Sequence, residues 1–478
     1  MSRSSWIRVT WALAGLVVAL TMLVVVQVLR TATDHANASA AGYVPAALTA
    51  LAVLLVVFAV GALIRRFELD LSRWFAWLIG LVSFAFAFVP WILLTTGHAN
   101  VAAMLYRGLR IPQGIERFWD LALVMRSIDC SAVGVDVFAP HNGCLQDPAI
   151  YGPGMLWLKY VPFGLFSFSN VLWLGVLMML ASSLASVWLA RESTGVGQVV
   201  LFIAALGAPW LLLLERGNID AVLIWVAVIA VIVVRRWPTL WSWSAVAALI
   251  WLVGTWKYYP FAMGILLVPV LWIRRGWIVL AAFVLASVGF VLLTWTNFRF
   301  SMQSNTNMTE IGDYVVLGRA PVVARMIGSV FPSPGIQVGD LLIAALALAA
   351  LGWGVLIGLG VAAQRSARSM HLAMLASAGS AMFLASVLVG GFGWAYKAAF
   401  LLLCVPLVSW VVLQLGRSSA FAGVVTLALI AICSIVVWNT LLASIAGIIA
   451  AAFAAGMSVV LLLARDRTAP PVVASVAR

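Results

Sequence analysis

Apolar runs of about 17–25 residues alternate along the chain with short polar breaks, the spacing that helices need to span a hydrocarbon core about 30 Å thick. Fourteen such runs begin near residues 9, 44, 74, 169, 197, 219, 240, 259, 277, 341, 371, 396, 420 and 443. The pattern predicts an all-α fold, a polytopic transmembrane helix bundle of about 14 spans. Trp11 to Leu29 is too long for a signal-peptide core and precedes no clear small-residue cleavage site, so it reads as a retained helix. Two long segments interrupt the alternation. The chain therefore divides into residues 1–95 with three spans, a loop at 96–168, spans four to nine at 169–296, a second loop at 297–338, spans ten to fourteen at 339–465 and a tail at 466–478.

Loops of this length in a compact protein are usually functional or disordered. In the first, Ile115 to Ile128 places apolar residues at helical spacing with Glu116, Arg117, Asp120 and Arg126 on other faces. That predicts an amphipathic helix lying at the membrane interface. Turn residues follow at Cys130, Gly134, Pro140, Asn142-Gly143 and Cys144. Tyr151 to Phe166, with Pro153 and Pro162, reads as a short interfacial helix ahead of the fourth span. The tail from Thr468, with Pro470 and Pro471, is expected to be disordered and cytoplasmic.

Composition agrees with a lipid environment: 65% of residues are hydrophobic, 9% are charged and the mean hydropathy is +1.12. A soluble domain has about a quarter charged residues. The formal charge of +13 would suit a nucleic-acid binder, but its distribution does not. With the N-terminus inside, sixteen of the 28 basic residues and four of the 15 acids fall on the cytoplasmic side, leaving twelve bases and eleven acids on the other. Doublets such as Arg65-Arg66, Arg235-Arg236 and Arg274-Arg275 recur at every second helix end, as the positive-inside rule requires. Basicity is thus topology, no nucleic acid is expected as a partner, and an even number of spans returns the C-terminus to the cytoplasm.

Cys130 and Cys144 share the external loop, where an oxidising compartment allows a disulfide; two free thiols are the alternative. Cys404 and Cys433 fall within apolar spans and read as small core residues. His35, His98, His141 and His371 are scattered without metal-ligand spacing, so no zinc site is expected. A Gly-rich phosphate loop, a Ser-His-Asp set and a kinase motif are all missing from the sequence.

The chain has three lysines, Lys159, Lys257 and Lys397, and this topology puts all of them at external helix ends, against the positive-inside rule. Short polar sequences surround them: Glu215-Arg216-Gly217-Asn218-Ile219-Asp220, Lys257-Tyr258-Tyr259-Pro260 and Trp394-Ala395-Tyr396-Lys397. Three tight turns bring Arg216, Lys257 and Lys397 to one membrane depth, where they could converge on a phosphate. Snorkelling of long side chains to water is the bland alternative. Among the loop acids Glu116, Asp120, Asp129, Asp136 and Asp147, Asp120 is the first candidate for deprotonating a hydroxyl, because a helix would hold it beside the bilayer, and Asp129 is the second. Glu215, Asn218, Asp220, Tyr258 and Tyr151 complete the candidate site as substrate contacts. Trp119, Trp157 and Trp394 could stack on a sugar ring, although belt anchoring is the general role of membrane tryptophans.

Phe118-Trp119-Asp120, followed by Gly134-Val135-Asp136-Val137-Phe138 and Tyr151-Gly152-Pro153, resembles the polyprenyl-phosphate-sugar-dependent glycosyltransferases of GT-C fold. Glu215 to Asp220 and the Lys257 to Pro260 break are similar to those of the bacterial mannosyltransferase-like branch, the glycosyltransferase 87 or DUF2029 group. The likeness runs in order from about residue 74 to 410. Family members often carry a double proline where this chain has Tyr151-Gly152-Pro153-Gly154. The resemblance implies that Asp120 is the catalytic base and that Arg216, Lys257 and Lys397 bind the donor's lipid phosphate. It further implies a bacterial plasma-membrane enzyme of cell-envelope glycan or glycolipid synthesis. Such an enzyme transfers a sugar to a lipid or glycan acceptor on the extracytoplasmic face, with inversion. No cofactor is expected; some branches use a divalent cation, which nothing here indicates. The rival readings are a transporter or flippase of a lipid-linked or anionic substrate, a glycan polymerase or ligase, and a membrane scaffold.

Overall fold

The structure, a computed structural model, describes residues 48–59, 73–108, 118–139, 142–145, 148–149, 151–299, 316–318, 338–362, 366–386, 392–414, 417–435 and 440–464. The predicted first span, most of the second loop and the C-terminal tail lie outside the described residues, as do Glu116, His35, His141 and Asp147.

The chain is helical, and a described helix begins beside the start of every predicted span after the first. Among the described residues, six helices are long and apolar enough to cross a membrane: Arg73–Thr95, Phe168–Glu192, Gly276–Leu293, Ala344–Ala362, Tyr396–Leu413 and Ala443–Leu463. Gly195–Ala205 and Ala208–Glu215, bent by 55° at their junction, make a seventh if taken as one span. Leu48–Ala59, Leu240–Trp256, Tyr259–Trp272 and Ala420–Ile435 are shorter apolar helices. Tyr259–Trp272 and Ala395–Cys404 wind as 3-10 helix, the former with Pro260 in its first turn and Pro269 inside.

Burial orders the bundle. Tyr396–Leu413 is 94% buried and forms its centre, whereas Gly276–Leu293 and Ala344–Ala362 are 22% buried. These outer helices expose Leu285, Leu292, Leu348 and Leu356. An apolar periphery of this kind requires lipid rather than water as its solvent. Exposed tryptophans gather at helix ends, among them Trp74, Trp173, Trp241, Trp272 and Trp277, as an aromatic belt at two interfaces requires. Glycine permits one close helix pair: Gly354 and Gly358 sit against Phe453 and Met457, and Gly456 meets Leu351, all backbone approaches that a Cβ would block.

The bundle has two chemically distinct ends. At one, Glu192 receives Arg235 at 2.8 Å and lies 3.9 Å from Arg368, tying three helix ends together. At the other end of Asp220–Arg236 lie Asp220 and the acid and cation cluster described below.

Within the first loop, Trp119–Ala132 is helical, but it does not lie on a surface with its polar residues outward. Asp120, Leu121, Ala122, Val124, Met125, Ser127, Ile128 and Cys130 are all buried. The expected interfacial helix is instead tucked against the bundle, because its first turn docks on the turn after Glu215. A helix at Ala99–Gly108 was not foreseen. The Tyr151 segment forms 3-10 turns at Pro153–Tyr160 and Pro162–Gly164. Cys130 and Cys144 are joined by a disulfide, and Cys404 and Cys433 are buried free thiols. Asn142 shapes the bridged turn, its Oδ1 accepting from the Cys144 and Leu145 amides at 3.0 and 2.8 Å. Closing a loop of about 15 residues stabilises by about 3 kcal/mol. Cys130→Ser is therefore expected to lower the thermal midpoint in detergent, and an unchanged midpoint would show that the bridge contributes nothing.

One antiparallel ladder departs from the all-helical expectation: Val316–Gly318 pairs with Phe392–Trp394, with Val316 opposite Trp394. It ties the second loop to the segment leading into the central helix.

Candidate functional site

The site is built on the turn that ends Ala208–Glu215. Gly217 adopts φ +58°, its amide donates to Leu214 O at 3.1 Å, and the Asn218 amide donates to Leu213 O at 3.1 Å. This is a Schellman stop, which needs glycine at the left-handed residue. The turn leaves the Arg216 carbonyl free to accept from the Asp120 and Leu121 amides at 3.1 and 3.3 Å. That carbonyl satisfies two otherwise unpaired donors at the start of Trp119–Ala132 and anchors the helix. Phe118, fully buried with φ +49°, fits between Gly175 and Gly217. A Cβ at Gly217 would lie 3.1 Å from Leu121 Cβ and 3.2 Å from Phe118 Cβ. Gly217→Ala thus adds left-handed strain to crowding. It is expected to cost about 1–3 kcal/mol, read as a lowered thermal midpoint; a midpoint equal to wild type would contradict this geometry.

Asp120, 8% exposed, faces this turn. Its Oδ2 accepts from Asn218 Nδ2, and its Oδ1 lies 3.6 Å from Arg216 Nη1. At that distance Oδ1 is attracted by the guanidinium without a proper hydrogen bond from it. The Arg216 guanidinium lies 4.8 Å from the Trp119 ring.

Asn218 links this pair to a second centre. Its Oδ1 accepts from the Asp220 amide at 2.9 Å and from Lys257 Nζ at 3.1 Å. Asp220, fully buried at the start of Asp220–Arg236, receives Lys257 Nζ on Oδ1 and Lys397 Nζ on Oδ2, each at 2.6 Å. The Tyr259 hydroxyl donates to Asp220 Oδ1 and accepts from Lys397 Nζ at 2.7 Å. Lys397 also sits 4.0 Å above the Tyr259 ring. Two ammoniums on one carboxylate leave this centre with net positive charge. An ammonium carries three donors, and each lysine uses two in the described contacts. The third N–H of each lysine has no acceptor among the described residues.

Arg216, Lys257 and Lys397 therefore do converge, but not as snorkelling side chains. Lys257 and Lys397 are 13% and 8% exposed and share a counter-ion. Tyr151 joins them, its ring 5.2 Å from Lys257 Nζ. Burial, reinforced by the Asp120 and Asp220 carboxylates, holds the Tyr151 phenol well above its ordinary range, so it stays a protonated donor.

Other expected residues lie elsewhere. Asp129 is not a second base beside the cluster: its Oδ2 accepts from the Phe168 amide at 2.9 Å and Ser167 Oγ at 3.2 Å, fixing the entry to Phe168–Glu192. Tyr258 turns away, donating to Thr294 Oγ1 at 3.2 Å with its ring near Phe290 and Phe298. Asp136 accepts from the Phe138 amide within a turn, and Lys159 binds Ser131. Tyr259 was not singled out, because a Tyr-Tyr pair in sequence does not disclose which ring faces inward. Among the described residues, no group of three or more His, Cys, Asp or Glu is placed to hold a metal ion.

The chain matches no protein-family model, no curated protein and no solved structure.

Proposed function

We propose that this chain is an integral membrane glycosyltransferase of GT-C-like architecture that moves a sugar from a polyprenyl-phosphate donor to a lipid or glycan acceptor. One observation carries the reading: a buried carboxylate, Asp120, stands beside a buried arginine and is joined through Asn218 to a cationic Lys257–Asp220–Lys397 centre, all at one end of a lipid-facing bundle. Ionisable groups at membrane depth are costly and mark function by default.

In this reading fourteen helices cross the bilayer, both termini are cytoplasmic and the site faces the extracytoplasmic side. The 3-10 winding of Tyr259–Trp272 suits that count, since 14 residues at about 2 Å each reach about 28 Å. The Glu192, Arg235 and Arg368 end is then the cytoplasmic one.

The donor phosphate docks on the free N–H of Lys257 and of Lys397, with Arg216 alongside. An acceptor hydroxyl attacks the anomeric carbon, its proton passes to Asp120, and the bond from that carbon to the phosphate oxygen breaks. The electron pair leaves on the polyprenyl phosphate, where the cations stabilise the developing charge. Direct displacement inverts the anomeric centre.

A transporter of a lipid-linked substrate is the second reading, favoured by the 55° break leading into Ala208–Glu215, because broken helices often aim at transporter sites. Proteoliposomes loaded with labelled polyprenyl-phosphate sugars separate the two. New glycosidic product supports the enzyme; net passage of intact donor across the bilayer without bond formation supports the transporter and defeats the first reading.

A further inference from the structure

Glu215 is the one acid of the Glu215–Asp220 turn that the foregoing chemistry does not use. It closes Ala208–Glu215, every residue of which is buried, and is itself 8% exposed. Its Oε2 is shielded from solvent and has no hydrogen-bond partner among the described residues. The charges of Arg216 and Asp120 act on it. A shielded carboxyl oxygen without a donor is costly, and buried polar groups are otherwise paired in the great majority of cases. The helix could have ended on leucine, as its preceding four positions include, and avoided the cost.

The neighbouring cluster carries groups of the kind that bind sugars. Trp119 and Tyr151 flank Arg216 and Lys257 with aromatic rings. Trp256, next to Lys257, holds a shielded indole N–H that also lacks a partner among the described residues. Aromatic faces suit the C–H face of a pyranose, while an acceptor oxygen and a donor N–H suit its hydroxyls. A lone alcohol or an acyl chain would satisfy neither.

Resting on the glycosyltransferase reading, we infer that Glu215 accepts a hydrogen bond from a second hydroxyl of the acceptor, so that the acceptor is a sugar and Glu215 positions its attacking hydroxyl at Asp120. Glu215 is a positioning residue; it takes no proton from the attacking group.

The test uses the full-length protein in proteoliposomes with polyprenyl-phosphate donor and octyl gluco-, manno- and galactopyranosides, each beside its monodeoxy forms. Wild type is expected to disfavour at least one monodeoxy form by about tenfold or more in kcat/KM, the scale of leaving a buried hydrogen-bonding group unpaired. In Glu215→Leu that ratio should collapse to within about twofold, and Glu215→Gln, which keeps an acceptor oxygen, should restore much of it. A purely structural role lowers overall rates and leaves the ratio alone, so an unchanged ratio in Glu215→Leu overturns the inference. So does a wild type that consumes donor yet glycosylates no octyl hexoside, or that treats every monodeoxy form as its parent. A wild type that consumes no polyprenyl-phosphate donor at all instead removes the proposed function itself.

Discussion

Asp220→Asn is expected to destabilise the protein by about 3–5 kcal/mol, the range for removing one partner of a buried ion pair. Asp220 is fully buried and each carboxylate oxygen holds one ammonium at 2.6 Å. Replacing it with an amide removes the carboxylate that pairs with both Lys257 and Lys397. The two cations then repel, and the amide nitrogen turns a donor toward one of them. Because Lys397 opens the central helix and Lys257 closes Leu240–Trp256, the damage spreads to both. The readout is the thermal midpoint in detergent or nanodiscs. Lys397→Met in the same background removes the repulsion, so the double variant should recover part of the loss. Equal midpoints for wild type and Asp220→Asn would mean that the lysines are held by something else.

Asp120→Asn is expected to lower sugar transfer by about 10²–10⁴-fold, the usual worth of a positioned general base. The substitution keeps the shape that Asn218 and Arg216 pack against, and the backbone anchoring of Trp119–Ala132 uses the Asp120 amide rather than its side chain. Stability should therefore fall much less than in Asp220→Asn, which separates the roles of the two carboxylates. Donor KM should move little, because the proposed donor-phosphate contacts are Lys257, Lys397 and Arg216. A variant that loses donor binding while retaining its turnover at saturation would reverse those assignments.

Helices were legible from the apolar runs, since a described helix begins beside every predicted start after the first. The count of crossings is less direct, because several of these helices are too short or too bent to qualify by length alone. The candidate cations were legible for a different reason: the predicted topology puts Lys257 and Lys397 at external helix ends, whereas every basic residue it puts on the cytoplasmic side is an arginine. What sequence could not disclose was their shared counter-ion. Lys397 meets Asp220 across 177 residues, and no local pattern encodes such a pairing.

The deep packing of the helix carrying Asp120 was not legible from its pattern. Polar residues at helical spacing ordinarily mark a solvent face, but this carboxylate points inward because Arg216 and Asn218 await it. Asp129 was read as chemistry and serves as a cap, a role set by Ser167 and Phe168 some 38 and 39 residues away. The ladder of Val316–Gly318 with Phe392–Trp394 is too short for any period-two pattern to register.

The most direct measurement is sugar release from radiolabelled polyprenyl-phosphate mannose and arabinose in membranes carrying wild type or Asp120→Asn. Release and transfer by wild type, with collapse in the variant at matched protein levels, is the predicted result. Donor left intact by wild type, or equal turnover by the two proteins, would contradict the account.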